Sequence, residues 1–488
     1  KEKILTDKDY TKTLIKKYFI DNKVSVKFVA EPSSSFFKKR NKAETELIKK
    51  LEKNLDKQKL KNDLEELHAY QQHIETPEET ACIPTTKLSE LEPEIEIPHT
   101  QLEFVKGADG SKIPLFISQE ETNGIFYAEV LYPFDNLDVK YFQYMPFLSN
   151  IITNMGWNGK SWDKCIAESS CVMGDIWGRL CCGTVPQVPL CIAEAEKYKE
   201  YNFCGRNWMG ISCKALTEQA DKSFNLLAEV ITTMSFDDVK RFDSLVQELK
   251  AEKKAGLVSG GRDYAVKRTR AVWSRQQALV ELLWGVSQLK TISSYKKKNL
   301  KDYLNTFKQM YSDIVKTGGI IHITADKDSL QKIKPMMEDF ACKAKITKLQ
   351  PAVEHTLDDY KPYIYEYDSA SEQSKMQILQ VKSQTGYSAV TTPASPYLTE
   401  QAAAETVLTS WLSMHSLWDK IRTTGGAYGA GVWNDSIEQC ITMYSYRDPN
   451  PHNSVKVYIE TLKEMLDTQI PLEDIEKTIV PCYGDAII

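Results

Sequence analysis

Hydrophobic residues recur along this 488-residue chain with two different periods, and each change of period marks a new element. Apolar positions three and four residues apart predict helices, whereas alternation of apolar and polar residues predicts strands. Near the start of the chain, the pattern predicts a short helix over 10–19 and a strand over 24–29. Because residues 1–30 are too few for a domain, we interpret them as the tail of a preceding α/β domain.

The next block, residues 31–98, is strongly charged and carries narrow stripes of leucine. The stripes consist of Leu47, Leu51 and Leu55, followed by Leu60, Leu64 and Leu67. They predict a helical hairpin over 36–75 that packs along one seam. The Pro- and Glu-rich residues 76–98 carry few signals of regular structure, so this part is predicted to be a linker. We expect this block to be a hinge, as the family resemblance given below implies.

Strand patterns and then long amphipathic helices follow in residues 99–350. The predicted strands lie at 101–105, 113–118, 124–132 and 319–324. The predicted helices lie at 142–155, 215–234, 239–254, 265–289 and 328–340. This order predicts an α/β sandwich, in which helices cover one face of an antiparallel or mixed sheet.

Residues 351–488 repeat this architecture without repeating its sequence. Strands are predicted at 376–382 and 387–390, a helix at 399–421, a β-hairpin at 428–446 and a helix at 454–466. The predicted fold class is therefore α+β, with repeated α/β sandwich domains and a helical hairpin hinge near the N-terminus. We expect further helix and strand beyond Ile488, so the fourth domain is expected to be truncated.

Composition narrows the possible partners. With 42% hydrophobic and 26% charged residues, the chain can form substantial cores in more than one domain. The net charge of −5 argues against a nucleic-acid partner, because phosphate binding is usually accompanied by a basic face. No apolar stretch approaches the length of a membrane span, so we expect no membrane partner.

Eleven cysteines are present, and many of them crowd one region. The crowded set is Cys165, Cys171, Cys181, Cys182, Cys191, Cys204 and Cys213. An odd count argues against a disulfide framework, and the lack of Cys-x-x-Cys pairs argues against a zinc cluster. We predict reduced, mostly buried thiols in a reducing compartment, either the cytoplasm or an organelle matrix. A redox-sensitive patch remains the alternative.

The histidines predict no metal site in this chain. None of the seven forms a His-x-x-Glu-His pair, the spacing at which two imidazoles share one helical face. His68 and His73 lie five residues apart in a charged helix, and we interpret them as solvated, with metal binding as the alternative. The predicted helix at 142–155 has no ligand-type residues and is interpreted as structural. We therefore assign neither a catalytic residue nor a metal ligand.

The most informative motif places Arg422 and Tyr428 six residues apart across a pair of glycines, Gly425 and Gly426. The helical pattern puts Arg422 in the last turn of its helix, with one of these glycines closing that turn and Tyr428 opening a strand. One interpretation is purely structural, since an arginine near a helix C-terminus offsets the helix dipole and a tyrosine often packs on a sheet. The other is that the guanidinium and the phenol point at a common ligand.

This motif, together with the sequence SYRDPN over 445–450, resembles the C-terminal half of presequence protease and falcilysin. These enzymes form the long-chain branch of the pitrilysin/insulysin zinc metallopeptidases. The similarity continues in residues 18–22, 69–79 and 475–485, so it covers nearly the whole chain but only the later part of a complete enzyme. It implies the non-catalytic C-terminal half of a zinc metalloendopeptidase that degrades short unfolded peptides in a closed chamber. The zinc and its ligands would belong to the N-terminal catalytic half, which is the expected partner.

The resemblance also implies roles for individual residues. Arg422 and Tyr428 would bind the substrate backbone or the oxyanion formed during hydrolysis, while Gly425, Gly426 and Gly429 would let an extended peptide approach the wall. Arg447 and Asp448 are interpreted as a turn pair at the exit of the β-hairpin, with substrate contact as the alternative. A different function, a non-catalytic interaction, assembly or peptide-binding module of the same fold, also remains open. The presence of both Arg422 and Tyr428 favours the peptidase.

Overall fold

The structure is a computed structural model, and it describes residues 2–53, 55–71, 73, 75–92, 100–183, 205–367 and 376–487. The chain divides into two compact units, Lys1–Thr85 and Thr86–Ile488. The finer domain boundaries expected from the sequence remain predictions.

The first unit is helical. Its helices are α1 (Glu2–Thr6), α2 (Tyr10–Ile15, continued by a π-helical turn Lys16–Ile20), α3 (Phe36–Lys53), α4 (Lys57–Gln71) and α5 (Pro77–Thr80). The predicted helix at 10–19 is thus confirmed. The predicted strand at 24–29 is wrong, because these residues pair with no other strand, and Val26 is 96% exposed. Alternating residues form a strand only where a neighbouring strand takes up their hydrogen bonds and one face is buried.

The hairpin prediction is half right. Its two helices are present as α3 and α4, but no residue of either helix is buried. The leucines of both stripes are between 40% and 60% exposed, so the predicted packing along one seam is wrong within this unit. The predicted linker holds the short helix α5, which begins with a capping box formed by Thr76 and Glu79.

A six-stranded sheet organises the first part of the second unit. Its strands are β1 (Thr100–Lys106), β2 (Lys112–Gln119), β3 (Ile125–Pro133), β4 (Asp175–Cys181), β5 (Trp208–Leu216) and β6 (Ile320–Ala325). They lie in the order β1-β2-β6-β3-β5-β4, and the only parallel pair among them is β2 with β6. Phe126, Val130 and Ile321 point from one face into a continuous apolar core.

The helices of this part pack on that face, on one another or, in one case, on the second sheet. They are α6 (Met145–Ile151, after a 3-10 turn Val139–Tyr144), α7 (Trp162–Val172), α8 (Ala220–Thr233), α9 (Val239–Ser259), α10 (Gly261–Arg270), α11 (Arg275–Trp284), α12 (Val286–Ser294), α13 (Leu300–Val315), α14 (Lys327–Ile333), α15 (Met337–Lys343) and α16 (Leu357–Tyr360). The predicted structural role of 142–155 is confirmed, because Phe147 and Leu148 lie fully inside the core. The α+β fold class is confirmed as well.

Several element boundaries differ from the prediction. Residues 215–216 end β5 and do not begin a helix, while the single helix predicted over 265–289 is three helices, α10 to α12. The break after α10 occurs where the Ser274 hydroxyl accepts from the backbone N–H of Gln277 and caps α11. The helix predicted at 328–340 is interrupted at Pro335 by a 3-10 turn. The sequence analysis also missed α7, β4 and α13, as well as the β5 residues before 215.

A second, three-stranded sheet lies near the end of the chain. It is formed by β7 (Gly386–Pro393), β8 (Gly429–Asp435) and β9 (Cys440–Asp448), in the antiparallel order β7-β9-β8. Its helices are α17 (Glu400–Leu412, continued as a π-helix Ser413–Thr423), α18 (Pro451–Met465) and α19 (Leu472–Ile487). The strand predicted at 376–382 is wrong, because this segment does not pair, and Ile378 is exposed. The other strands and helices predicted for this part are confirmed.

Helix α10 joins the two sheets. It packs against β7 and β9 of the second sheet and against α11 of the first part. The buried Arg270 guanidinium donates through Nε to the Thr442 hydroxyl (2.8 Å) and through Nη1 to Asp435 Oδ2 (3.0 Å). The beginning of α10 also lies next to β7 and β9, because Gly261 lies against the Tyr387 ring and Arg262 lies over the Tyr444 and Tyr446 rings.

Candidate functional site

The site begins at the end of the π-helix that continues α17. Arg422 lies in the last turn, as predicted. The backbone N–H of Gly426 donates to the Arg422 carbonyl (2.9 Å), and the N–H of Ala427 donates to the Ile421 carbonyl (3.1 Å). Gly426 has a φ of 77°, a left-handed conformation that favours glycine. Gly426 therefore ends the helix, and Gly425 lies exposed in the turn before it.

Tyr428 follows this turn, and β8 starts one residue later, at Gly429. Gly429 pairs with Tyr446 of β9. A Cβ atom on Gly429 would lie 2.4 Å from the Tyr446 ring, so only glycine leaves room for that ring. Tyr446 fills the space at the Cβ position of Gly429, and the approach of an extended peptide at Gly429 stays a prediction.

The structure brings the predicted arginine and tyrosine together. The guanidinium carbon of Arg422 lies 3.9 Å from the centre of the Trp418 ring and 5.7 Å from the centre of the Tyr428 ring. These are cation–π distances, so Trp418 and Tyr428 orient the guanidinium by its flat face. The Tyr428 side chain is 56% exposed. Among the described residues, no carboxylate pairs with Arg422, whose hydrogen-bond donors remain available to a ligand.

A β-bulge adds a second arginine to this site. Tyr387 of β7 pairs with Tyr446 of β9, whereas the preceding Gly386 pairs with Asp448, so Arg447 is the extra residue. Arg447 has a φ of 47°, as expected for a residue forced out of the regular ladder. Its guanidinium carbon lies 5.2 Å from the centre of the Tyr428 ring. The two charged side chains therefore both lie against Tyr428.

A cavity of about 250 Å³ opens beside Tyr428. Its lining consists of Tyr387, Tyr428, Tyr446, Arg262, Asp263, Arg447 and Ser259. Arg262 pairs with Asp263 at 3.0 Å and lies over the rings of Tyr444 and Tyr446. Arg447 has no carboxylate partner among the described residues. This combination of guanidinium groups and phenols can bind carbonyl oxygens and anions. The sequence analysis missed Arg262, Tyr387 and Tyr446, which come from separate elements.

Asp448 behaves differently from its neighbour Arg447. Its buried carboxylate accepts hydrogen bonds from the hydroxyls of Ser445 and Ser454, each at 2.6 Å, and from the backbone N–H of Asn450. These bonds hold the exit of β9 and the start of α18, as predicted for Asp448. Arg447 and Asp448 do not bond to each other; Arg447 contributes to this exit as the extra residue of the β-bulge.

The described residues do not form a zinc site. Within the part of the chain that the structure describes, no group of three or more His, Cys, Asp or Glu side chains is placed to hold a metal ion. His73 is exposed and its Nε2 lies 3.2 Å from Glu79. Elsewhere, His355 Nε2 lies 2.7 Å from the backbone carbonyl of Asp135 and packs against Phe142. His99 lies outside the described residues.

A separate polar cluster lies on the face of the six-stranded sheet away from the helices. Arg179 of β4 donates through Nε and Nη2 to the Glu129 carboxylate, both at 2.7 Å, and His322 Nδ1 lies 3.1 Å from Glu129. Although burial alone would raise it, the bonds from His322 and Arg179 hold the pKa of Glu129 below its ordinary value. Because Arg179 and His322 both bond to the Glu129 carboxylate, we interpret this cluster as a structural ion pair.

The cysteines that the structure describes are free but less buried than predicted. Nine of them lie in the described residues, and only Cys165, Cys213 and Cys440 are buried, so "mostly buried" is wrong. Burial raises the pKa of Cys213 to about 12 and that of Cys440 to about 11, which keeps these thiols protonated. Cys191 and Cys204 lie outside the described residues. No described helix is both long and apolar enough to cross a membrane.

Comparison with known proteins identifies the family of this chain. A family model for the associated domain of peptidase family M16, subfamily C, matches residues 31–294, and the model "PreP C-terminal domain" matches residues 395–487. The mitochondrial presequence protease of Candida albicans is 22% identical over 92% of this chain, and presequence protease 1 of Arabidopsis thaliana, named chloroplastic/mitochondrial, is 23% identical over 97%. The chain spans only 43% and 41% of these relatives.

A solved structure shares the fold. A conserved protein from Enterococcus faecalis V583 superposes with a TM-score of 0.53 over 79% of this chain and 85% of its own, at 13% identity. The family models cover both the helices α3 to α5 of the first unit and the part of the second sheet that carries Arg422 and Tyr428. This chain therefore belongs to subfamily C of the M16 peptidases, in the presequence protease branch, and corresponds to the C-terminal half of such an enzyme.

Proposed function

We propose that this chain is the non-catalytic, substrate-binding half of a zinc metalloendopeptidase that degrades short unfolded peptides. The observation that carries the proposal is the placement of Arg422 and Tyr428 against each other, with donors that have no protein partner among the described residues. An arginine that only offset the helix dipole would not need its guanidinium to lie near both Trp418 and Tyr428, and a cavity lined by Tyr428 lies next to the pair.

The two residues act by hydrogen bonding. The Arg422 guanidinium and the Tyr428 hydroxyl donate to carbonyl oxygens of an extended peptide, or to the oxyanion that forms when one of its bonds is attacked. Trp418 stacks on the guanidinium at 3.9 Å and reduces its freedom before the peptide arrives. Removing one such donor costs about 100-fold to 1000-fold in rate where it stabilises an oxyanion.

The zinc-binding, catalytic half is the proposed partner, and the zinc ligands lie outside this chain. The exposed leucines of α3 and α4 support a protein contact, because long apolar stripes on a soluble surface usually mark an interaction site. The relatives named presequence protease support peptides as substrates. Since those relatives are named mitochondrial or chloroplastic, and the described cysteines are free, we propose an organelle matrix as the compartment.

Hydrolysis of a fluorogenic unfolded peptide tests this function. We expect none from the chain with added zinc, and turnover only after mixing with a separately expressed N-terminal half that carries His-x-x-Glu-His. In the mixture, Arg422→Ala and Tyr428→Phe should each lower turnover about 100-fold or more, because each removes a donor to the reacting peptide.

Lys456→Gln serves as the control for loss of a surface charge. Lys456 is exposed on α18, the helix that packs against β7 and β9, and it has no described side-chain partner. It should retain wild-type turnover, and circular dichroism should show all variants folded. Wild-type turnover by Arg422→Ala would remove Arg422 from the site. Peptide binding by this chain without any hydrolysis in the mixture would favour the alternative, a peptide-binding module.

A further inference from the structure

We propose that the cavity beside Tyr428 binds a carboxylate of the peptide, with Arg447 as its principal partner. The carboxylate is either the free C-terminus of the peptide or a single acidic side chain. The inference rests on the proposed function, because a peptide held by Arg422 and Tyr428 has this cavity next to it. It goes further by giving the site a preference among peptides.

The β-bulge supplies the first argument. In a regular strand, Tyr446 and Arg447 would point to opposite faces of the sheet. The register shift opposite Gly386 and Tyr387 instead lets both side chains line the same cavity. Arg447 takes up a left-handed backbone conformation, with φ 47°, that is unfavourable for a side chain with a Cβ. A bulge that re-aims one side chain is a feature common beside binding sites.

Charge supplies the second argument. Arg262 and Asp263 neutralise each other at 3.0 Å, so Arg447 is the uncompensated charge among the described lining residues. The Arg447 guanidinium lies over the Tyr428 ring, and this contact orients the plane of the guanidinium. The N–H groups at the edge of the guanidinium remain free to form two parallel hydrogen bonds. A carboxylate is the group that matches this edge in both charge and geometry.

The remaining donors and the size of the cavity fit the same ligand. The Tyr387 hydroxyl already donates to the Val258 carbonyl, and the Tyr428 hydroxyl is assigned to the peptide backbone, but the Tyr446 hydroxyl has no described partner. It can donate to a carboxylate oxygen that Arg447 does not reach. About 250 Å³ accommodates one terminal residue or one acidic side chain, and is too small for a length of extended peptide.

Fluorescence anisotropy with the 488-residue chain and N-terminally labelled peptides provides the test. One pair of peptides differs only at the C-terminus, a free acid against an amide. The other pair is amidated and differs only at one internal position, Glu against Gln. We expect removal of the carboxylate in one of the two pairs to weaken binding about tenfold, the loss of one charge-assisted bidentate contact. The pair that responds identifies the source of the carboxylate.

Arg447→Gln should abolish that difference in affinity. The variant should bind the peptide with the carboxylate only as weakly as it binds the matched peptide without it. Arg447→Gly should do the same while keeping the bulge, since glycine adopts positive φ without strain. Arg447→Gly therefore still tests the proposal if Arg447→Gln does not fold. Lys456→Gln should preserve the full tenfold preference.

The outcomes separate the two proposals. If wild type binds the acid and neutral forms equally in both pairs, the carboxylate cavity is wrong, while peptide binding at Arg422 and Tyr428 still stands. If Arg447→Gly retains the preference, another residue carries it and the assignment to Arg447 is wrong. If no peptide binds at any concentration, the proposed function fails and this inference fails with it.

Discussion

At the scale of single residues, Gly429 and Tyr446 show how the smallest side chain in the site determines the position of a much larger one. The Tyr446 ring lies where a Cβ on Gly429 would be, and it also forms one wall of the cavity. The ring is packed at 5.4 Å from the Tyr428 ring, so moving one aromatic ring disturbs the other. Any side chain at 429 therefore acts on the site through Tyr446.

Gly429→Ala should displace the Tyr446 ring, because the new Cβ would lie 2.4 Å from it, well inside van der Waals contact. We expect a loss of about 1–3 kcal/mol in the free energy of unfolding, typical of an overpacked site, and weaker binding of the labelled peptides. Urea unfolding and anisotropy measure the two effects.

Gly256→Ala is the matched control, since a Cβ there meets no atom within 4 Å and the glycine lies inside α9. It should stabilise the chain by about 0.5–1 kcal/mol, the usual gain from replacing a helical glycine. Unchanged stability and unchanged binding in Gly429→Ala would mean that Tyr446 moves aside freely and does not shape the cavity.

At the scale of elements, local sequence signals predicted the helix end at Arg422 but not which strands pair. The end of the helix at Arg422 could be predicted because glycine at a helix C-terminus is a local signal, and Gly426 supplies the positive φ that it requires. The segments 24–29 and 376–382 alternate like strands yet remain unpaired, because alternation says nothing about whether a partner is adjacent.

The same limit explains the parts of the site that the sequence did not predict. The bulge at Arg447 depends on the register of β7, a strand that lies far from Arg447 in the sequence. Arg262 reaches the cavity only because α10 packs against β7 and β9. Arg422 and Tyr428 could be identified because consecutive elements, a helix, a turn and a strand, place both side chains. Their motif also resembles that of a known family.

The start of α14 allows an element-scale prediction. The Asp326 carboxylate accepts from the backbone N–H groups of Ser329 (2.9 Å) and Gly124 (2.7 Å), and thereby joins the helix to the turn between β2 and β3. Chiefly these two backbone hydrogen bonds lower the pKa of Asp326 from 3.8 to about 2. Because the pKa is lower in the folded state, the stabilisation is present above about pH 4 and is lost as the pH falls towards about 2.

Asp326→Asn should therefore be less stable than wild type at neutral pH, and the difference should shrink as the pH falls from about 4 to about 2. Urea midpoints measured across this range provide the test. Asp328→Asn is the control, because Asp328 is exposed in the same first turn and has no described hydrogen-bond partner for its side chain. A difference between Asp326→Asn and wild type that stays constant down to about pH 2 would contradict the cap.

At the scale of the second unit as a whole, two sheets with separate apolar cores are joined through α10. The cavity depends on this junction, since Ser259 and Arg262 come from α9 and α10 while Tyr428 and Tyr446 belong to the second sheet. Arg270 is buried at the junction and stacks over Trp433 at 4.4 Å. The position of the second sheet relative to α10 therefore rests in part on one guanidinium.

Arg270→Ala should lower the free energy of unfolding by about 3 kcal/mol, because it leaves the partly buried Asp435 without its ion-pair partner. Hydrogen–deuterium exchange should show the loss of protection concentrated in β7, β8 and β9, with the six-stranded sheet little changed. The preference for peptides with a carboxylate should fall as well, because Arg262 and Arg447 would no longer be held on the same cavity. Lys267→Gln, one turn earlier on α10 and without a described side-chain partner, should change none of these quantities. Equal loss of protection in both sheets would show instead that the second unit opens as one cooperative body, and that Arg270 contributes only to its total stability.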